Sequence, residues 1–350
     1  MNEWLIYGAN GYTGELIARE AVRRQWKPVL AGRNRAAIGK LAAELGLGYR
    51  IVGLDDHAEL VRALEGASLV LHCAGPFSAT SAPMIRACLD AKAHYLDITG
   101  EIDVFEHAHA LDGEARRAGV VLCPGAGFDV IPTDCVAAAL KAALPDAVTL
   151  SLGFDSSSGF SPGTARTSVE GLALGGRVRR DGRIVTVPLA YETRQIDFGR
   201  GTRTAMTIPW GDVSTAFHTT GIPNIKVFTP ASPRSVKALR RLNFVLPLLK
   251  LRPLQKLIQH RVGRSVQGPD QAARERTLTY VWGEAENARG ERRTARIRTA
   301  NGYSLTVTGS LALAQHLLSQ PVPGGAYTPA KLLGPDLVER LPGSGKLELD

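Results

Sequence analysis

Residues 4–14 read WLIYGANGYTG, an apolar run that meets a glycine and passes two more at equal spacing, Gly8, Gly11 and Gly14. Four consecutive apolar residues suit a strand buried on both faces, and the segment after the last glycine, ELIAREAVRRQ, has helical periodicity. Strand, glycine turn and helix in that order form the unit whose helix N-terminus receives an anion. One glycine permits the tight turn, another lets backbone approach a pyrophosphate, and the third lets helix and strand pack closely. Gly8, Ala9, Asn10, Gly11, Tyr12, Thr13 and Gly14 are therefore candidate cofactor-binding residues, with Ala9 where the commonest fingerprint has its second glycine. A glycine-rich turn without a ligand is the competing reading, which the flanking strand and helix disfavour.

The first 125 residues continue the alternation. Strand candidates KPVLAG, YRIVGL, SLVLHCA, HYLDI and VVLCPG follow the first, separated by amphipathic segments that mostly end at glycine. Six strands with crossover helices predict a doubly wound parallel sheet over residues 1–128. The second strand ends in LAGRNR, with Arg33, Asn34 and Arg35 where an NAD-binding unit would carry a carboxylate for the ribose hydroxyl. A guanidinium fork suits a 2′-phosphate, so the expected cofactor is NADP(H). Asp55, after the third strand, is a candidate for the adenine end, with a solvated loop carboxylate as the equal alternative. Ala74, Gly75, Pro76 and Phe77 end the fourth strand, where the cofactor should cross the sheet.

After residue 135 the pattern changes. VTLSLGF, RIVTVPLAY, TAMTIPW, RTLTYVWGEAE, TARIRT and YSLTVTG alternate, and Asp181-Gly182 and Asn301-Gly302 suit hairpin turns of positive φ. They predict an α+β domain with a mixed or antiparallel sheet over 129–322, and a segment 323–350 packing back on the first domain. The stretch 236–262 is basic and apolar and is broken by Pro247 and Pro253. An interdomain or dimer-interface element is the preferred reading, with an acyl-chain or membrane-surface contact as the alternative.

Several motifs together resemble the saccharopine dehydrogenase-like family of NADP-dependent oxidoreductases: GANGYTG, AGRNR, CAGPF, YLDITGE (95–101), PGAGFDVIPTD (124–134) and the late GGAYTPAKLLGPDLVERL. The GFDVIPTD form is more similar to the branch holding trans-acting enoyl reductases than to true saccharopine reductase. The likeness covers the first 135 residues and then only islands such as SPGTARTS (161–168). It implies a dinucleotide-binding Rossmann domain, a sheet-based substrate domain that often mediates dimerisation, and hydride transfer from NADPH to an activated C=C or C=N bond. The substrate would be a small molecule or an acyl group, free or on a carrier protein. A non-enzymatic NADP(H)-binding redox sensor or scaffold is the alternative from another class, since a fold does not fix a chemistry.

A proton donor is also needed, and PGAGFDVIPTD offers Asp129 as the catalytic candidate beside Gly127 and Phe128 near substrate, while Asp134 reads as a helix cap. Tyr95, Asp97 and Glu101 read as core or supporting residues. Thr164 and Arg166 are candidates for an anionic substrate group, with helix capping at even weight. No Ser-x-x-x-Tyr-x-x-x-Lys set is present in the first domain, and His72, His94, His107 and His109 show no metal-ligand spacing, so no metal is expected.

Composition limits the partners. The formal net charge is +9, with much of the excess in RVRR, ALRRL, HRVGR and ERRTARIR, which lack the aromatic interleaving of single-strand binders, so nucleic acid is not expected. Four scattered cysteines without a C-x-x-C pair fit a reducing compartment. The absence of a basic, apolar leader and of a long uncharged apolar run predicts a cytoplasmic protein without a stable membrane anchor, expected as a homodimer.

Overall fold

The structure, a computed structural model, describes residues 3–159, 161, 163–164, 167, 171, 174–244, 246, 261 and 268–350. The chain forms two compact units: residues 1–99, 103–128 and 303–333 make the first, and 100–102, 129–302 and 334–350 the second.

The first unit is a seven-stranded parallel sheet. Its strands β1 (Trp4–Tyr7), β2 (Val29–Gly32), β3 (Tyr49–Ile51), β4 (Leu69–His72), β5 (His94–Asp97) and β6 (Val121–Cys123) lie in the order β6-β5-β4-β1-β2-β3, and the short strand Gly325–Ala326 is added beside β6. The crossover helices are α1 (Tyr12–Arg23), α2 (Arg35–Leu45), α3 (His57–Leu64), α4 (Phe77–Ala91), α5 (Ile102–Ala110) and α6 (Asp112–Ala118). Central strands β1, β4 and β6 are buried at every residue, as a sheet covered on both faces requires. Leu5, Tyr7, Val70, Tyr95 and Leu122 pack with Met84, Ile85 and Cys88 of α4 in one core. Strand order reverses between β1 and β4, which opens the crevice beyond their carboxyl ends where such sheets bind ligands.

The second unit is built on a nine-stranded mixed sheet with α7 (Ile131–Ala143) against it. Its strands are β7 (Ala147–Ser156), β8 (Gly176–Arg180), β9 (Arg183–Val187), β10 (Thr193–Asp197), β11 (Thr202–Ile208), β12 (Asn224–Pro230), β13 (Leu278–Asn287) and β14 (Arg292–Ala300), with Glu348–Leu349 at the edge. β7 and β12 run parallel and the other pairings are antiparallel. Gly283 of β13 leaves room for α7: a Cβ there would stand 2.5 Å from Cγ1 of Val136. Helices α8 (Asp212–Thr220) and α9 (Pro233–Leu242) flank β12 in the chain.

The late part of the chain departs from expectation. YSLTVTG is no strand but the start of a helix, Gly302–Ser319, which belongs to the first unit. Its alternation also continues into the ten residues SLALAQHLLS, making a stretch longer than a strand and compatible with a buried helix. Asn301-Gly302 is accordingly no hairpin: the Asn301 amide donates to the Thr277 hydroxyl, and the Gly302 amide to the Ser158 hydroxyl. Asp181-Gly182 does join β8 to β9, with φ of 48° and 76°. The return to the first unit runs from 303 to 333, and 334–350 lies in the second unit, so 323–350 is not a single segment of the first.

Candidate functional site

The turn after β1 is packed too closely for a side chain at its first and third glycines. Gly8 has φ +78°, and a Cβ there would lie 2.7–2.9 Å from Ala74 at the end of β4. A Cβ on Gly14 would stand 2.5 Å from the Gly8 carbonyl oxygen, so α1 sits directly on the turn. Gly11 is the N-cap of α1 and no side chain caps that helix, which leaves its dipole directed at the turn. Ala9 is buried, Asn10 is exposed beside Gly32, and Tyr12 stacks edge-on to Tyr303 at 5.1 Å.

Arg33 and Arg35 are exposed at the end of β2 and the start of α2. Among the described residues neither has an ion-pair partner, whereas Arg19 and Arg23 of α1 and Arg24 at its C-cap all hold carboxylates at 2.6–2.8 Å. Asn34 is committed locally, its side-chain oxygen accepting from the Ala37 amide (3.1 Å) as the cap of α2. Asp55 is exposed, and both it and Arg33 act electrostatically on the buried Tyr7 hydroxyl, which donates to the Val52 carbonyl.

The segment Ala74–Phe77 is fastened from behind. The Thr80 hydroxyl reaches the carbonyl oxygens of Ala74 (2.7 Å) and Pro76 (3.0 Å) and meets Nε2 of His72 at 3.0 Å. His72 is fully buried among Tyr7, Phe77 and Tyr95, and burial lowers it to about 3. A neutral ring donates from Nε2 to Thr80, which frees the threonine proton for a carbonyl. Sequence reasoning set His72 aside as a non-ligand and missed this role.

A second clasp closes the neighbouring loops. Asp97 at the end of β5 accepts from the Tyr95 hydroxyl (2.6 Å) and from the amides of Thr99 and Gly125 (2.9 Å each), while its carbonyl accepts from Ala126. Burial outweighs these three bonds and raises its carboxyl to about 6. Gly127 and Phe128 follow, held by the helix Gly302–Ser319. A Cβ on Gly127 would lie 2.9 Å from Thr306, whose hydroxyl accepts from the Phe128 amide. Tyr303 and Thr306 were missed because their segment read as a strand.

In the second unit, Asp129 packs on Gly100, where a Cβ would stand 2.8 Å from its carboxylate, and its carbonyl accepts from the Trp210 indole. Loss of hydration raises its carboxyl to about 7. Asp134 does not cap α7. It is wholly buried and accepts from the Thr219 hydroxyl of α8, because the position lies inside the first turn and faces that helix. Asp212 in the first turn of α8, which no sequence motif marked, is also wholly buried, and burial and the charges of Asp134 and Asp129 raise its carboxyl far above the ordinary range. Ser161 accepts from the Thr164 amide (3.2 Å), the capping arrangement, whereas Arg166 lies outside the described residues. Among the described residues no three His, Cys, Asp or Glu side chains are grouped to hold a metal, and no helix is long and apolar enough to cross a membrane.

Residues 4–123 match the family model described as the saccharopine dehydrogenase NADP-binding domain. The saccharopine dehydrogenase-like oxidoreductase of Mus musculus is 31% identical over 152 residues, 37% of this chain and 35% of that protein. The trans-acting enoyl reductase of Mycobacterium ulcerans is 32% identical over 148 residues, 38% of this chain and 34% of that protein. The matched stretch thus spans about a third of the length of these curated relatives. The apo saccharopine dehydrogenase (L-Glu forming) of Saccharomyces cerevisiae superposes with a TM-score of 0.66 over the whole of both chains at 13% identity, a likeness of fold.

Proposed function

Because residues 4–123 match the saccharopine dehydrogenase NADP-binding domain, we propose that the protein is an NADP(H)-dependent oxidoreductase acting on an activated C=C or C=N bond. The observation that carries this reading is the pair of exposed, unpaired arginines beside a glycine cradle at the strand-order reversal. The turn suits a dinucleotide, since a Cβ at Gly8 or Gly14 would strike Ala74 or the Gly8 carbonyl, so these glycines supply the tight turn and the close helix–strand packing that such a unit uses. In this proposal residues 8–14 take the pyrophosphate, Arg33 and Arg35 the 2′-phosphate, Asp55 the adenine end, and Ala74–Phe77 the stretch crossing the sheet. Bound NADPH supplies the hydride.

The protein's own contribution is placement and a proton. The His72–Thr80 and Asp97 clasps fix the loops that end β4, β5 and β6, so that the ligand meets preformed backbone. Asp129, raised to about 7, holds its proton well above the ordinary carboxylate range, is shared between the protonated and ionised forms at neutral pH, and is the proposed donor. Gly127, Phe128 and Thr164 are proposed to lie near substrate. Four free cysteines suit the cytosol, and we assign the protein there as a homodimer.

The test is NADPH oxidation with enoyl thioesters, with imines of amino acids and aldehydes, and with plain ketones, repeated for Asp129→Asn. Turnover of the first or second class, reduced in the variant, is the expected result. Turnover of ketones alone would refute the substrate class, and tight NADPH binding without turnover would make the protein a redox sensor.

A further inference from the structure

One segment of this chain is positive throughout. Between residues 213 and 269 there are ten Lys or Arg and no Asp or Glu, whereas the remainder holds 32 Lys or Arg against 33 Asp or Glu. Within this segment the described helix α9 carries Arg234, Lys237, Arg240 and Arg241, all exposed. Arg234, Lys237 and Arg241 recur at helical spacing on one face. Among the described residues none of the four has a carboxylate partner, although Arg240 donates to the Ala190 carbonyl. Elsewhere, exposed arginines such as Arg23, Arg86, Arg116 and Arg292 rest against carboxylates at 2.6–3.0 Å.

Helix stability does not account for the pattern. Arg240 and Arg241 favour the C-terminal end of the dipole, but Arg234 sits in the first turn, where a cation is unfavourable and no acidic residue offsets it. The opposite face is modest, with Val236 as the buried residue, packed on Ala190 and Met206. Beyond the helix, Phe244 is 87% exposed, whereas the other exposed large hydrophobics among the described residues lie between 41% and 47%. Ten of residues 242–258 are Leu, Ile, Val or Phe, interspersed with Lys and Arg.

We propose that α9 docks the second unit reversibly on an anionic phospholipid surface, with Arg234, Lys237 and Arg241 on the headgroup phosphates and Phe244 among the upper acyl segments. Charge of a single sign suits a partner that needs no register, whereas protein docking sites fix register with charges of both signs. An exposed phenylalanine beside cations gains from lipid and gains little from a nucleic-acid backbone. The attachment is electrostatic and shallow, unlike a spanning or irreversible anchor.

The full-length protein is sedimented with phosphatidylcholine vesicles, with and without phosphatidylglycerol, at low and high salt. Binding is expected only with phosphatidylglycerol and is expected to weaken steeply with salt. Combined Arg234→Ala, Lys237→Ala and Arg241→Ala should weaken partitioning on the order of a hundredfold, and Phe244→Ser about tenfold with little salt dependence. NADPH titration and melting temperature, unchanged in both variants, establish that they are folded. No binding at low salt, equal binding to neutral vesicles, or full binding by the folded triple variant overturns the proposal. Retention on duplex DNA or on an acidic protein without vesicle binding overturns it as well.

Discussion

Replacing Asp97 tests whether the loops after β5 and β6 are held by one buried carboxyl. In Asp97→Ala the Tyr95 hydroxyl and the amides of Thr99 and Gly125 lose their acceptor in a region without solvent. Each orphaned donor costs about 1–3 kcal/mol, so a loss of about 4 kcal/mol or more is expected, a large part of an ordinary domain's stability. Asp97→Asn separates hydrogen bonding from charge. Its carbonyl oxygen accepts the two amides, and its amide group can donate to Tyr95, so the network survives. What disappears is titration. The folded carboxyl sits at about 6 against about 4 when unfolded. An acid whose pKa is raised by folding loses stability as pH rises from the unfolded value through the folded one. Between about pH 4 and about pH 7, wild type should therefore lose about 3 kcal/mol relative to Asp97→Asn. Urea unfolding of both proteins across that range reads the difference directly, because titrations common to both cancel. A difference that stays flat with pH, or an alanine variant within about 1 kcal/mol of wild type, would refute the argument.

Arg33→Ala should weaken NADPH about ten- to a hundredfold by titration and leave NADH unchanged, since the residue is exposed and has no ion-pair partner among the described residues. Gly8→Ala forces a Cβ to within 2.7 Å of Ala74 at φ +78°, so NADPH binding should be lost with a destabilisation of about 1–3 kcal/mol, read by calorimetry. Asp212→Asn should cost little near pH 5 and become stabilising relative to wild type as pH rises, because neither carboxyl oxygen has a good partner and burial keeps the native acid protonated. Equal pH dependence of the two proteins would show that Asp212 is solvated or paired.

The first sheet was legible because its signals are local. Six short apolar runs each end near glycine or a turn, and parallel strands buried on both faces leave a continuous pattern that no helix of that length matches. The proposed roles of Arg33 and Gly8 likewise rest on distance along the chain. The second sheet was legible only in part: β8 and β10 carry GRVRR and TRQID, each with two or more charges and a single apolar residue besides glycine, and they escaped notice along with β12, NIKVFTP. Strand formation there depends on neighbours already in place, since pairing and cross-strand packing outweigh intrinsic preference. The supporting residues of the site were hidden for a different reason. His72 with Thr80 spans eight residues, but Phe128 with Thr306 spans 178 and Asp134 with Thr219 spans 85. Such pairs leave no periodicity, because only tertiary contact brings the partners together. A threonine on a helix and an aspartate inside a first turn each read as ordinary until the facing element is known, and burial then turns an unremarkable hydroxyl into the bond that fixes a loop.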